Sequence, residues 1–176
     1  MSRDARLIHA SIDDLACLQR DTYDFVIGQG DPLCCAHKPE RALKELCRVL
    51  KPGGVMVMSI DNRLAGIEHY LEKGEVEGLA RFLKDGRKRW VTDRVEEQFE
   101  VTMFTPADIR RMCEVRGLEL LSLIGKTVLP LRRFADLLKE RTRRDELVRL
   151  EESLHAEPAM LGRASHLEFA ARKAMA

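Results

Sequence analysis

The residues able to do chemistry fall in a few loops of this 176-residue chain. Gly28-Gln29-Gly30 follows an aromatic and β-branched run, Tyr23-Asp24-Phe25-Val26-Ile27. Open α/β sheets bind ligands beyond the carboxyl ends of their strands, and glycines there let the backbone come close to a small molecule. The competing account is a tight turn that needs glycine's conformational freedom. Asp61-Asn62 ends the next apolar run and would line the same crevice with a carboxylate and an amide, or sit in a solvated turn. His37, in the loop between these runs, is the histidine considered for proton transfer; an ordinary surface histidine is the alternative. Cys34-Cys35 lie beside it, but adjacent cysteines lack the C-x2-C spacing of zinc ligands. Buried thiols are expected there, and no metal site is assigned. Arg81, Lys84, Arg87, Lys88, Arg89 and Arg94, with Trp90 among them, have the composition of a phosphate contact; a solvated helix face is the expectation.

The elements that must position these groups alternate between strand and helix. Arg6–Ala10 is expected as a short strand, with Ser11 and Asp13 or Asp14 capping a helical turn through Leu18. Tyr23–Ile27 is the next strand. Pro39 then opens a helix with Leu43, Leu46, Cys47 and Leu50 on its apolar side, and Lys51-Pro52-Gly53-Gly54 is expected to stop it in a turn. Val55–Ile60 has the composition of a strand buried on both faces. From Leu64 to Glu100 the pattern is helical and charged, broken at Gly74, Gly78 and Gly86. Thr105-Pro106 starts a helix that Gly117 ends, and Leu118–Ile124 follows as a strand extending toward Leu129. Charged helices fill Leu131–Leu154, and His166–Ala171 closes as a strand. One α/β domain over 1–176 with an insert at about 64–100 is the expected organisation.

The run Tyr23–Ile27, then Pro39-Glu40-Arg41-Ala42-Leu43-Lys44-Glu45-Leu46-Cys47-Arg48-Val49-Leu50-Lys51-Pro52-Gly53-Gly54, resembles class I S-adenosylmethionine (SAM) dependent methyltransferases. It is similar to their fourth strand, the helix with the L-x-E-x-x-R-V-L-K-P-G-G ending, and their fifth strand. Phe104-Thr105-Pro106 through Gly117-Leu118-Glu119, and the last segment His166–Lys173, are similar to the family's later elements. The resemblance implies an incomplete doubly wound, mostly parallel sheet, a Rossmann-like methyltransferase fold without its first strands. It also implies SAM as cofactor.

The glycine-rich loop after the family's first strand, and the acidic residue ending its second, have no counterpart in this sequence. Gly28-Gln29-Gly30 does not replace that loop, because no helix follows at once. With the family order 3-2-1-4-5-7-6, Arg6–Ala10 would be orphaned and Tyr23–Ile27 would be an unprotected apolar edge. Three repairs are open: direct pairing of Arg6–Ala10 with Tyr23–Ile27, which is the one expected; two chains meeting edge to edge as a homodimer; or a truncated piece of a longer or split protein completed by another chain.

By resemblance, Ser11 stands where the family's adenine-binding acid belongs, with Ile12 beside it, and Gly28, Gln29 and Gly30 pass the cofactor's methionine part. His37, Asp61 and Asn62 are the substrate-side candidates; no catalytic residue is assigned. Two functions are carried forward: a SAM-dependent methyltransferase acting on an unidentified acceptor, and a non-catalytic remnant or partner subunit that cannot bind SAM alone.

Composition narrows the remaining classes. A formal charge of +1 implies no general pull toward nucleic acid or anionic membrane. No apolar run approaches the roughly 18–20 residues of a membrane span. The charged start, Met1-Ser2-Arg3-Asp4-Ala5-Arg6, has no apolar signal-peptide core, and five cysteines fit reduced thiols, so a cytoplasmic location is expected.

Overall fold

The structure is a computed structural model and describes residues 5–175; most of the charged start, residues 1–4, lies outside the described residues. In chain order the elements are β1 (Tyr23–Gly28), α1 (Pro32–Cys35), α2 (Pro39–Val49), β2 (Leu50–Asp61), α3 (Gly66–Glu72), α4 (Val76–Asp85), β3 (Arg87–Trp90), β4 (Phe99–Thr102), α5 (Pro106–Val115), β5 (Leu118–Lys126), α6 (Arg141–Leu154) and β6 (His166–Lys173). Short 3-10 turns cover Arg63–Ala65, Val95–Glu97, Leu131–Leu138 and Leu161–Arg163.

β1, β2, β6 and β5 form the main sheet in that order. β1 and β2 are parallel, while β6 runs antiparallel to both β2 and β5. Three of the four strands therefore point the same way, with β6 reversed between two of them. This is the expected order beginning at the family's fourth strand. Alternate residues of a strand face opposite sides of a sheet. Met56, Met58 and Ile60 of β2 and Leu167, Phe169 and Ala171 of β6 lie on one face, buried with Leu33 and Cys34 of α1, Leu43 and Leu46 of α2, and Ile109 and Cys113 of α5. Val55 and Val57, on the other face, are half-buried rather than sealed, so β2 is not the doubly buried strand its composition predicts. Phe25 and Ile27 share that face through their pairing with Val55 and Val57, and are 68% and 70% exposed.

Several expectations are corrected. Arg6–Ala10 is not a strand; its residues are exposed, and the expected pairing with Tyr23–Ile27 does not form. Residues 11–18 make tight turns in place of a capped helical turn, closed by Asp14 N–H to Ser11 O and Leu18 N–H to Leu15 O. Lys51-Pro52-Gly53-Gly54 lies within β2 as a bulge: Tyr23 pairs with Leu50 and Phe25 with Val55, so four residues bulge out opposite one, with Gly53 at φ +75°. In the insert, Gly74 and Gly86 end helices as expected, whereas Gly78 lies inside α4 against Tyr70. Apart from the 3-10 turn at Val95–Glu97, residues 87–102 are not helical. β3 and β4 pair as a two-stranded antiparallel ribbon, so Arg87, Lys88 and Arg89 belong to a strand and not to a helix face.

Two local readings are met closely. Thr105 caps α5 in a capping box, its Oγ1 accepting from the Asp108 N–H (3.1 Å) while Asp108 Oδ2 accepts from the Thr105 N–H (3.0 Å). The charged 131–154 segment is a 3-10 turn followed by α6. Among the described residues, no helix is long and apolar enough to cross a membrane.

Candidate functional site

Sheet register assembles the site at the carboxyl ends of β1 and β2. Asp61, the last residue of β2, lies directly opposite His166, the first residue of β6, and Lys126 at the end of β5 pairs with His166 from the other side. Ser59 and Glu168 occupy the preceding paired positions on the same face. The β1 loop then swings over them. The Gly30 and Asp31 N–H groups both donate to Ser59 Oγ, each at 3.1 Å, and Ser59 is buried. Asp31 itself has φ +60°, a left-handed conformation that aspartate tolerates better than most residues. Its Oδ2 comes 3.2 Å from His166 Nδ1, and Asp61 Oδ1 lies 3.3 Å from the same nitrogen. Together the three offer ligand atoms within 4.8 Å of one another.

Electrostatics follow from this convergence. The hydrogen bond to Asp31 is the largest influence on His166; it outweighs burial and raises the imidazole above its ordinary pKa. Burial works to raise Asp31, but hydrogen bonds from His166 and Ser59 overcome it and hold the carboxyl low. Asp61 is raised, first by burial and then by the neighbouring Asp31 charge. Cys34 is buried beneath, where its sulfur accepts from the Asp61 N–H at 3.2 Å; burial pushes this thiol up strongly and makes it inert at neutral pH. Around the rim, Gln29 donates to Glu168 (3.0 Å), and Lys126 reaches both Glu168 and Gln29 at 3.4 Å.

The structure brings some of the sequence candidates together and separates others. Gly28, Gln29 and Gly30 border the cluster. A Cβ on Gly28 would stand 2.4 Å from Met58 Cε and 2.9 Å from Pro32 Cγ, so a side chain here would make both neighbours shift. Asp61 is central. Asn62, in contrast, is fully buried: its amide donates to Leu161 O (2.9 Å) and Ala164 O (2.7 Å) and accepts from the Leu64 N–H, which leaves no group for a substrate. His37 lines a different cleft of about 460 Å³ with Arg63, Arg87, Asp108 and Arg111. Ser11 is exposed and its Oγ accepts from the Asp13 N–H at 3.3 Å, while Ile12 packs against the core. Asp13 accepts the N–H groups of His37 and Lys38 at 3.0 and 3.2 Å, just ahead of α2.

Asp31 and His166 had no mark in the sequence beyond their residue types. Lys88 of the β3–β4 ribbon was also not assigned here, yet its charge acts on Asp61.

For a nucleotide-like cofactor the described residues form one wall. The Gly30 and Asp31 N–H groups are spent on Ser59, so the loop is no nest of free donors, and α1 after it has only four residues. The far side of β1, where a second wall would stand, is open among the described residues.

Residues 2–58 match the family model of a methyltransferase domain. No curated protein matches the chain. Among solved structures, the chain is similar to a SAM-dependent methyltransferase from Methanosarcina mazei, with 17% identity and a TM-score of 0.57 over 95% of this chain and 66% of that one. It is also similar to a SAM-dependent methyltransferase from Thermotoga maritima, with 18% identity and a TM-score of 0.53 over 93% of this chain and 62% of that one. The chain thus spans less than two thirds of the length of either structure.

Proposed function

We propose that this chain, built on the C-terminal part of the class I methyltransferase fold, takes part in SAM-dependent methyl transfer to an acceptor held at the carboxyl ends of β1 and β2. The observation that carries the reading is the strand order β1-β2-β6-β5 with β6 reversed, joined to the methyltransferase-domain match over residues 2–58. SAM, when bound, supplies an electrophilic methyl group. The chain's own part is positioning, which supplies much of the rate in a displacement of this kind. Gly28–Gly30 would border the cofactor's methionine end, with Ser11 and Ile12 toward the adenine. Asp31 and Asp61 would orient a polar acceptor.

The open edge of β1 favours a second reading. Phe25 and Ile27 are exposed beside a strand edge that is unpaired among the described residues, and the sequence has no counterpart of the family's glycine loop. On this reading SAM is held only when a further strand, from a second copy or another chain, lies along β1.

Calorimetric titration of SAM and S-adenosylhomocysteine, with the mass in solution measured alongside, separates the two. Micromolar binding by the monomer supports autonomous methyl transfer. Binding only in a dimer or with an added chain supports the second reading, and no binding at millimolar ligand by the folded monomer rules out the first.

A further inference from the structure

The Asp31, Asp61 and His166 cluster has the geometry of a cation site, and this inference goes beyond methyl transfer without depending on it. Three features distinguish the cluster from an ion pair. First, one imidazole nitrogen, His166 Nδ1, is shared by two carboxylate oxygens at 3.2 and 3.3 Å, although a ring nitrogen carries one proton and serves one acceptor along its axis. Second, Asp31 Oδ1 is buried with no hydrogen-bond partner, an acceptor left orphaned where such atoms are normally satisfied. Third, the ligand atoms of all three side chains converge within 4.8 Å of one another in a half-buried place. Separations near 3.3 Å are those between neighbouring ligands around a metal ion with bonds of about 2.0–2.2 Å at tetrahedral or octahedral angles.

We propose that Asp31, Asp61 and His166 bind one first-row divalent cation, of the Mn²⁺ or Zn²⁺ kind. Two oxygens and one imidazole nitrogen suit these ions better than Mg²⁺ or Ca²⁺, which favour oxygen alone. Three protein ligands leave coordination positions for water or a chelating oxygen ligand. The ligand set is preorganised: register places Asp61 opposite His166, and Ser59 pins the loop that carries Asp31. Binding requires the neutral imidazole, so the metal displaces the Nδ1 proton.

The test is titration of Mn²⁺ into the full chain after EDTA treatment and dialysis, by calorimetry and by loss of the free-ion electron paramagnetic resonance signal. One ion per chain is expected. Asp31→Asn, Asp61→Asn and His166→Gln should each weaken binding by about 10- to 100-fold or more. Glu77→Gln, exposed on α4 and away from the cluster, should leave it within roughly two-fold. Because Asp61 faces the Asp31 charge, Asp61→Asn should melt no lower than the unsubstituted chain without metal, and both aspartate variants should lose the upward shift that Mn²⁺ gives it. In the unsubstituted chain, substoichiometric Mn²⁺ should broaden the His166 imidazole resonances before those of His9, His37, His69 and His155. Absence of saturable binding, binding unmoved by all three substitutions, or selective broadening at another histidine overturns the site. SAM is absent throughout, so either result leaves the cofactor titration to be judged separately.

Discussion

At the residue scale, Glu45 and Arg48 show how one helix holds the irregular start of the chain. Arg48 bonds Glu45 at 2.8 Å and also donates to Leu15 O (2.7 Å) and Leu18 O (2.9 Å), while Glu45 accepts the Leu15 N–H at 3.1 Å. The hydrogen bond from Arg48 is the main reason that the Glu45 carboxyl sits below its ordinary range. A carboxyl with a lowered folded pKa contributes stability that is complete above its unfolded value and is lost as pH falls through the folded one. Hydrogen exchange of the Leu15 amide is therefore expected to accelerate, beyond the intrinsic pH trend, as the solution is acidified below the ordinary glutamate pKa. An exchange rate following the intrinsic trend alone would show that Glu45 does not hold this segment.

At the element scale, α5 depends on its first turn. Asp108 completes the capping box, receives Arg63 at 3.0 Å, and pairs with Arg111 at 3.0 Å. Arg63 in turn donates to Met103 O (3.1 Å), tying the end of β4 to the turn after β2. Thr105→Ala removes one cap bond and is expected to cost about 1 kcal/mol, lowering the melting temperature by roughly 2–4 °C for a domain of this size. Asp108→Ala removes the reciprocal bond of the capping box and the partner of a largely buried arginine, so its melting temperature should fall further. Equal losses in the two variants would show that the Arg63 contact contributes nothing.

At the scale of the whole molecule, the core helices pack on one face of the sheet, and among the described residues β1 has a free edge and an apolar face. Tyr23, Phe25 and Ile27 are all exposed there, an arrangement that favours pairing with another strand. The chain alone is expected to self-associate through this edge. Ile27→Lys, a charge of the kind that blunts sheet edges, should shift sedimentation toward the monomer with a stability change within about 0.5 kcal/mol. Association unchanged by Ile27→Lys would place the contact elsewhere. The same edge is where a strand completing the cofactor site would lie, which joins this measurement to the SAM titration.

What the sequence by itself determined was local. The helical spacing of Leu43 and Leu46, the Thr105 to Asp108 cap and the Gly117 stop are written in neighbouring residues, and the structure follows them. The resemblance around Arg48-Val49-Leu50-Lys51-Pro52-Gly53-Gly54 led to the correct strand order. Only tertiary structure decided the rest. Arg6–Ala10 has a strand's composition but no partner strand among the described residues, so it stays exposed outside the sheet. The β3–β4 ribbon has Arg87, Arg89, Glu100 and Thr102 on one face and Lys88, Trp90, Phe99 and Val101 on the other; its apolar alternation, Phe99 and Val101, is too short within a charged segment to stand out before the two strands pair. Asp31, Asp61 and His166 are far apart in sequence and meet because β6 inserts, reversed, between β2 and β5. Asn62, one position from Asp61, was the matching candidate from sequence; the alternation of a strand sends it into the core while Asp61 faces the crevice. Local propensity is a property of adjacent residues, whereas a site is a property of register, and register is set only when the sheet closes.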